Sequence, residues 1–354
     1  MRSIISYNSQ SAAGGVILRR RRQPQPERTP LRIHFVSAFF AASSLVFTAC
    51  DSATDTVTQG ETPEGGWTID VAQAPGGDLN GFFECLETEG AALVSAHRGG
   101  PYPGYPENAL ETMQAILARV PAIMEIDVAT SADGVLYLNH DDTLDRTTTG
   151  AGPTGALSWN EIRKLRLEDN DGRATPFAPT RFSDALQWAK DRTILQVDFK
   201  RSTRYEDVAR EVKRQNAQDR IVLISYSMAS AQKLHSLLPD AMISLSLDTQ
   251  SELNAAVAAG VPDDRILGFT GIEDPRPRLF SILNSRDVEV IFGTLGGRDS
   301  IDNDIAASGY EALYADIAAQ GADIIATDRP LEAFAALDAA GRAPQAGMCG
   351  IARS

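Results

Sequence analysis

Basic charge is what this 354-residue chain has least of relative to acid. It carries 33 Lys and Arg against 47 Asp and Glu, a formal net charge of −14. Seven of those basic residues and only one acidic residue precede residue 50, so the remainder is more acidic still. A surface of that sign excludes nucleic acid as a partner. It leaves room for a small phosphorylated ligand drawn in by a local arginine and a metal. Histidine is also scarce, at four residues, and cysteine at three. Long apolar runs are absent except for Ile33 to Ala49, about 17 residues, which is at the short limit for spanning a bilayer and contains His34 and three serines.

That run follows Arg19 to Arg22, Arg28 and Arg32 and ends in Thr48-Ala49-Cys50. A basic stretch, an apolar stretch and small residues in that order describe a secretory signal. A cysteine directly after the small pair resembles a bacterial lipoprotein signal, which implies lipidation at Cys50. Residues 1–49 are therefore expected to be a signal peptide and residues 50–80, rich in Thr, Gly, Asp and Pro, a flexible tether. The folded part is expected over 81–345, in an exported, membrane-tethered lipoprotein, periplasmic or at the cell surface. No sequence feature speaks to oligomeric state.

Apolar, β-branched runs alternate with helical patterns along the rest. Strands are predicted over 93–97, 122–128, 135–140, 194–199, 221–226, 242–247, 265–270, 289–294 and 322–327. Helices are predicted over 108–119, 158–166, 182–190, 204–215, 229–237, 251–259, 276–284, 307–319 and 330–340. Such alternation predicts parallel strands with helical crossovers, and the length suits a TIM (β/α)8 barrel of ~250 residues. The ninth strand is accounted for by a β-hairpin. Only six residues separate 122–128 from 135–140, too few for a parallel crossover, and Asp133-Gly134 is a hairpin turn. With those two residues as the loop, Asp127 faces His140 directly, and Glu125 shares that face. In a closed barrel the first and last strands are neighbours, so Cys85 and Cys349 could meet. An oxidising compartment favours a disulfide between them, with two unpaired thiols as the alternative.

Active sites of such barrels lie at the C-terminal strand ends. There the sequence places His97-Arg98-Gly99-Gly100, Glu125-Ile-Asp127, Asn139-His140-Asp141 and Asp198-Phe-Lys200. Two imidazoles beside carboxylates suit metal-assisted acid–base chemistry on a phosphate ester. Glu125 and Asp127 are hard oxygen donors on a strand buried on both faces, fit for a divalent cation, and Asp198 can be a third ligand. Arg98 offers a planar fork to phosphate oxygens, and Lys200 can neutralise one.

His97-Arg-Gly, Pro106-Glu-Asn, Glu125-Ile-Asp127, Asp133-Gly, His140-Asp-Xaa-Xaa-Leu144-Xaa-Arg146-Thr-Thr and Ala326-Thr-Asp328-Arg-Pro330 together resemble the glycerophosphodiester phosphodiesterase family. The resemblance covers most of 93–330 and is most specific over 93–150. It implies one divalent cation, Ca2+ or Mg2+, held by residues matching Glu125, Asp127 and Asp198, and catalytic histidines matching His97 and His140. The family usually has glutamate where Asp198 stands, and Trp-Thr where this chain has Phe292-Gly-Thr294. The segment 141–180 resembles the family's insertion over the site. The implied reaction is hydrolysis of glycerophosphodiesters to glycerol 3-phosphate and an alcohol. The alternatives are lysophospholipid cleavage of the phospholipase D type on the same site, and a barrel that binds phosphorylated ligands without turnover.

Overall fold

The computed structural model describes residues 65–354. The expected signal peptide, Cys50 and the tether up to residue 64 lie outside the described residues. The eleven strands are β1 (Trp67–Ile69), β2 (Leu93–Ala96), β3 (Ala122–Thr130), β4 (Leu136–Leu138), β5 (Leu195–Phe199), β6 (Ile221–Ser225), β7 (Met242–Ser246), β8 (Ile266–Phe269), β9 (Val290–Gly293), β10 (Ile324–Thr327) and β11 (Ile351–Arg353). Eight of them, β2, β3 and β5 to β10, run parallel and close by the pairing of β10 with β2 and of β2 with β3. Helices pack outside, and the fold is a TIM barrel.

Period-two alternation divides the barrel interior into layers. Leu93, Ile123, Ile194, Val222, Met242, Leu267, Ile291 and Ile324 form an apolar lower layer in one buried cluster. Two residues up each strand stand Ser95, Glu125, Gln196, Ile224, Ser244, Phe269 and Ala326; two further stand His97, Asp127, Asp198, Tyr226 and Ser246, and all of these line one cavity. Each strand thus begins as packing and ends as chemistry.

The hairpin forms with a register one residue from that expected. β4 pairs antiparallel with β3 as Val128↔Leu138, Ala129↔Tyr137 and Thr130↔Leu136. Asp127 therefore lies opposite Asn139, whose N–H donates to the Asp127 carbonyl at 3.0 Å, and not opposite His140. The loop has three residues, Ala132-Asp133-Gly134, because Gly134 takes φ 81° and Ser131 bonds to both ends of the turn. A three-residue loop ending in a left-handed glycine is the next common hairpin solution after the two-residue one.

Three further expectations are corrected. Residues 67–80, read as tether, are ordered. β1 pairs with β11 at the other end of the chain, and helix α1 (Leu79–Thr88) buries Leu79, Phe82, Phe83 and Leu86 beneath the lower layer. The folded unit likewise runs past 345 to β11. α1 carries Cys85, which is disulfide-bonded to Cys349. The helix expected over 307–319 is two, Ile301–Ser308 and Leu313–Ala318, because Gly309 ends the first in a left-handed cap at φ 69°.

Candidate active site

The cavity at the C-terminal strand ends has a volume of about 220 Å³. Its floor is a buried polar relay in which Ser95 Oγ donates to Gln196 Oε1 at 2.9 Å and Gln196 Nε2 to Ser244 Oγ at 3.2 Å. One wall carries His97, Glu125, Asp127, His140, Asp198 and Lys200; the other carries Ile224, Tyr226, Phe269 and Leu295.

His97 ends β2 where the chain turns sharply. Arg98 (φ 53°), Gly99 (φ 81°) and Gly100 (φ 78°) are left-handed in succession. A Cβ on Gly99 would meet Met113 at 2.7 Å, so only glycine fits there. The turn aims the Arg98 backbone N–H at Glu125 Oε2, 2.7 Å away. It also leaves the Arg98 guanidinium on Glu107 (3.0 and 3.2 Å) and 3.8 Å from Asp127, away from the cavity wall. His97 Nδ1 bonds Asp328 Oδ1 at 2.6 Å, and Gly296 N–H holds the other Asp328 oxygen. Burial opposes a charge on His97, but the Asp328 hydrogen bond and the Glu125 charge outweigh it, and its pKa lies above the usual value.

His140 reaches the cavity from just beyond β4, where the chain leaves the ladder. Its Nδ1 bonds Asp141 Oδ1 at 2.7 Å. Both imidazoles thus spend Nδ1 on an aspartate, which leaves Nε2 of each ring for the substrate.

The carboxylates differ in how they are matched. Burial works against the Asp127 charge, but Lys200 Nζ at 2.6 Å and Asn108 Nδ2 at 2.8 Å hold it ionised, with a lowered pKa. Lys200 also reaches Asp198 Oδ2 at 2.7 Å, and the two carboxylates keep the lysine protonated despite its burial. Glu125, 8% exposed, has only the Arg98 N–H. Burial first, then the charges of Asp127 and Asp198, raise its pKa. The set therefore carries negative charge in excess of its cations, in hard oxygen donors suited to Ca2+ or Mg2+. Among the described residues no three acidic, His or Cys side chains converge closely enough to hold a metal ion, since Lys200 stands between Asp127 and Asp198. The nearby carboxylate of Glu107 is committed to Arg98 and Arg146.

Sequence reasoning did not give working partners to Asn108, Asp328, Asp141 or Arg146, and it left Tyr226, at a strand end on the same rim, open between a substrate contact and the mere finish of the strand. Pro106-Glu-Asn108 and Asp328 stood in quoted motifs; Asn108 meets Asp127 and Asp328 meets His97 only once neighbouring strands are brought side by side.

Fold and site define a class: a TIM barrel with two aspartate-bound histidines and a carboxylate cluster at its strand ends. The glycerophosphoryl diester phosphodiesterase family model matches residues 97–265. A glycerophosphoryl diester phosphodiesterase of Parabacteroides distasonis superposes with a TM-score of 0.69 at 27% identity, over 78% of this chain and 95% of that one. Glycerophosphodiester phosphodiesterase 1 of Bos taurus is 43% identical over 88 residues, 25% of this chain and 26% of that protein; the match thus spans about a quarter of that relative. A phosphodiesterase of Oleispira antarctica, solved with the product sn-glycerol-3-phosphate, shares the fold at a TM-score of 0.56 and 18% identity, over 70% and 97% of the two chains. Residues 97–265 form a domain of the glycerophosphodiester phosphodiesterase family.

Proposed function

We propose that this protein is a phosphoric diester hydrolase that cleaves glycerophosphodiesters to glycerol 3-phosphate and an alcohol with a divalent cation, Ca2+ or Mg2+. The observation that carries the reading is the convergence of His97, His140 and four charged side chains on one cavity. The product named is the molecule bound by the Oleispira protein.

In this reading Glu125, Asp127 and Asp198 hold the cation, which when bound withdraws charge from the phosphodiester. The excess of buried carboxylate charge supports that assignment, with Lys200 swinging from between the aspartates to a phosphate oxygen. Arg98 is the second phosphate contact, reached by turning from Glu107. One histidine takes the proton of the attacking hydroxyl at Nε2 and the other gives a proton from Nε2 to the leaving alkoxide. Asp328 and Asp141 keep those nitrogens aimed at the substrate. Attack by a neighbouring glycerol hydroxyl, through a cyclic phosphate, gains from proximity. We assign the protein to an oxidising, extracytoplasmic compartment, tethered through Cys50; the Cys85–Cys349 bond supports this.

The test pairs glycerophosphocholine with lysophosphatidylcholine, each with and without chelator. Glycerol 3-phosphate released from the first and lost on chelation is the expected result. Choline and lysophosphatidic acid released from the second, with no product from the first, would move the assignment to lysophospholipid cleavage. No product from either with metal present would leave a binding protein.

A further inference from the structure

Arg146 lies in the 141–180 insertion, outside the cavity wall, and its position in the sequence suggests no more than packing of that loop. The contacts say otherwise. Its Nε and Nη2 bond Asp141 Oδ2 and Oδ1, both at 2.7 Å; its Nη1 and Nη2 bond Glu107 Oε2 and Oε1 at 2.8 and 2.9 Å. A planar fork that saturates two carboxylates fixes both orientations at once. Asp141 Oδ1 is also the acceptor for His140 Nδ1. Among the described residues, Arg146 is the one partner besides His140 on the Asp141 carboxylate oxygens. Glu107 is buried and braced from its other side by Arg98.

The two histidines are therefore held by different means. Asp328 leaves the end of a barrel strand and is fixed by a backbone N–H. Asp141 is the chain neighbour of His140 on a loop and takes its orientation from an arginine five residues on, itself bonded to Glu107. The insertion has its own reasons to stay folded: Leu144, Trp159 and Ile162 pack on Ala129 and Tyr137, and Gly104 N–H bonds Asp169. Arg146 is not needed for that packing.

We propose that Arg146 is a positioning residue that, braced by Glu107, clamps Asp141 and through it fixes the Nδ1–H tautomer and direction of His140. Its kinetic consequence rests on the phosphodiesterase reading above; its structural consequence does not. The full-length, metal-loaded protein is labelled with 15N-histidine, and Arg146→Met and Arg146→Lys are compared with Arg173→Ala, a control in an exposed ion pair of the same insertion. In Arg146→Met, His140 shifts from the Nδ1–H form toward a mixture of tautomers while His97 stays unchanged. Its kcat on glycerophosphocholine falls roughly 10–100-fold with KM near that of the parent. Arg146→Lys, which keeps the charge but not the fork, recovers part of the loss, and Arg173→Ala matches the parent. An unaltered His140 spectrum in Arg146→Met overturns the proposal, and so does a spectrum in which both histidines change together, since that marks a packing role. If the parent turns over no glycerophosphodiester, the assigned activity fails while the imidazole spectra still decide this point.

Discussion

At the C-terminal end of the barrel Asp127 is met by Lys200 and Asn108, Asp328 by His97 and a backbone N–H, and Glu107 by two arginines. At the N-terminal end Glu289 is 1% exposed and neither of its carboxylate oxygens has a hydrogen-bond partner. Asp323, Glu87 and Glu84 stand near enough to raise its pKa further, and Asp323 has Arg342 nearby. A buried carboxylate costs little when paired or protonated and a great deal when neither. One end keeps its acids charged by supplying cations; the other keeps them neutral. Glu125 sits on the charged side with the protonation habit of the other end.

The largest effects are expected where the contrast concerns chemistry. His97→Ala and His140→Ala should each lower the turnover rate by ~10²–10⁴-fold with an unchanged circular dichroism spectrum. Near-normal turnover in either would remove that ring from the proton-transfer pair. Asp198→Asn should weaken the divalent cation, read as a right-shifted metal titration of activity. An unchanged titration would place the third oxygen donor elsewhere.

The interior alternation that puts His97, Glu125, Asp127 and Asp198 on one face was legible because side-chain direction in a strand is a property of the local backbone. All nine strands expected from β-branched runs are present. The hairpin register was not legible to the residue. Asp133-Gly134 closes a two- or a three-residue loop equally well in sequence, and the Ser131 hydroxyl, bonded to Asp133 and to the Val135 N–H, selects the longer. His140 still enters the cavity, since the chain has already left the ladder there. α1 carried a readable signal, apolar at 79, 82, 83 and 86, hidden by the polar composition around it. β1 and β11 carried none, because three residues that pair with the far terminus have no local signature. The clamp on His140 was equally opaque: Glu107 and Arg146 meet only after the barrel closes.

A second test bears on the lower end, where α1 and the β1–β11 pair cover the apolar layer. Cys85→Ser removes the crosslink from a very long loop and should cost about 2–5 kcal/mol, read by urea denaturation, with kcat unchanged. A fall in kcat as large as that from a histidine variant would mean that the two ends are not independent. A loss of stability below 1 kcal/mol would mean that packing of Phe82, Phe83 and Ile351 alone holds the cap.

The smallest effect separates the two ends by their response to pH. Burial, and then the charge of Asp323, push Glu289 up to about 9 from 4.5, and burial pushes Asp323 up to about 7. A carboxyl whose folded pKa is raised binds a proton more tightly in the native state. Its stabilisation is complete below the unfolded value and is lost as pH rises through the folded one. Thermal unfolding should therefore shift downward between about pH 5 and pH 9, first as Asp323 ionises and then as Glu289 does. Glu289→Gln imitates the protonated form. It should match the parent near pH 4.5, where both carry a neutral side chain, and exceed it progressively as the pH rises toward 9. Asp127, whose pKa is lowered, has the opposite sign: its contribution is present above the unfolded value and lost only in acid. Parallel unfolding curves for parent and Glu289→Gln across that range would show that the lower end also keeps its acid charged, and the contrast between the two ends would fall.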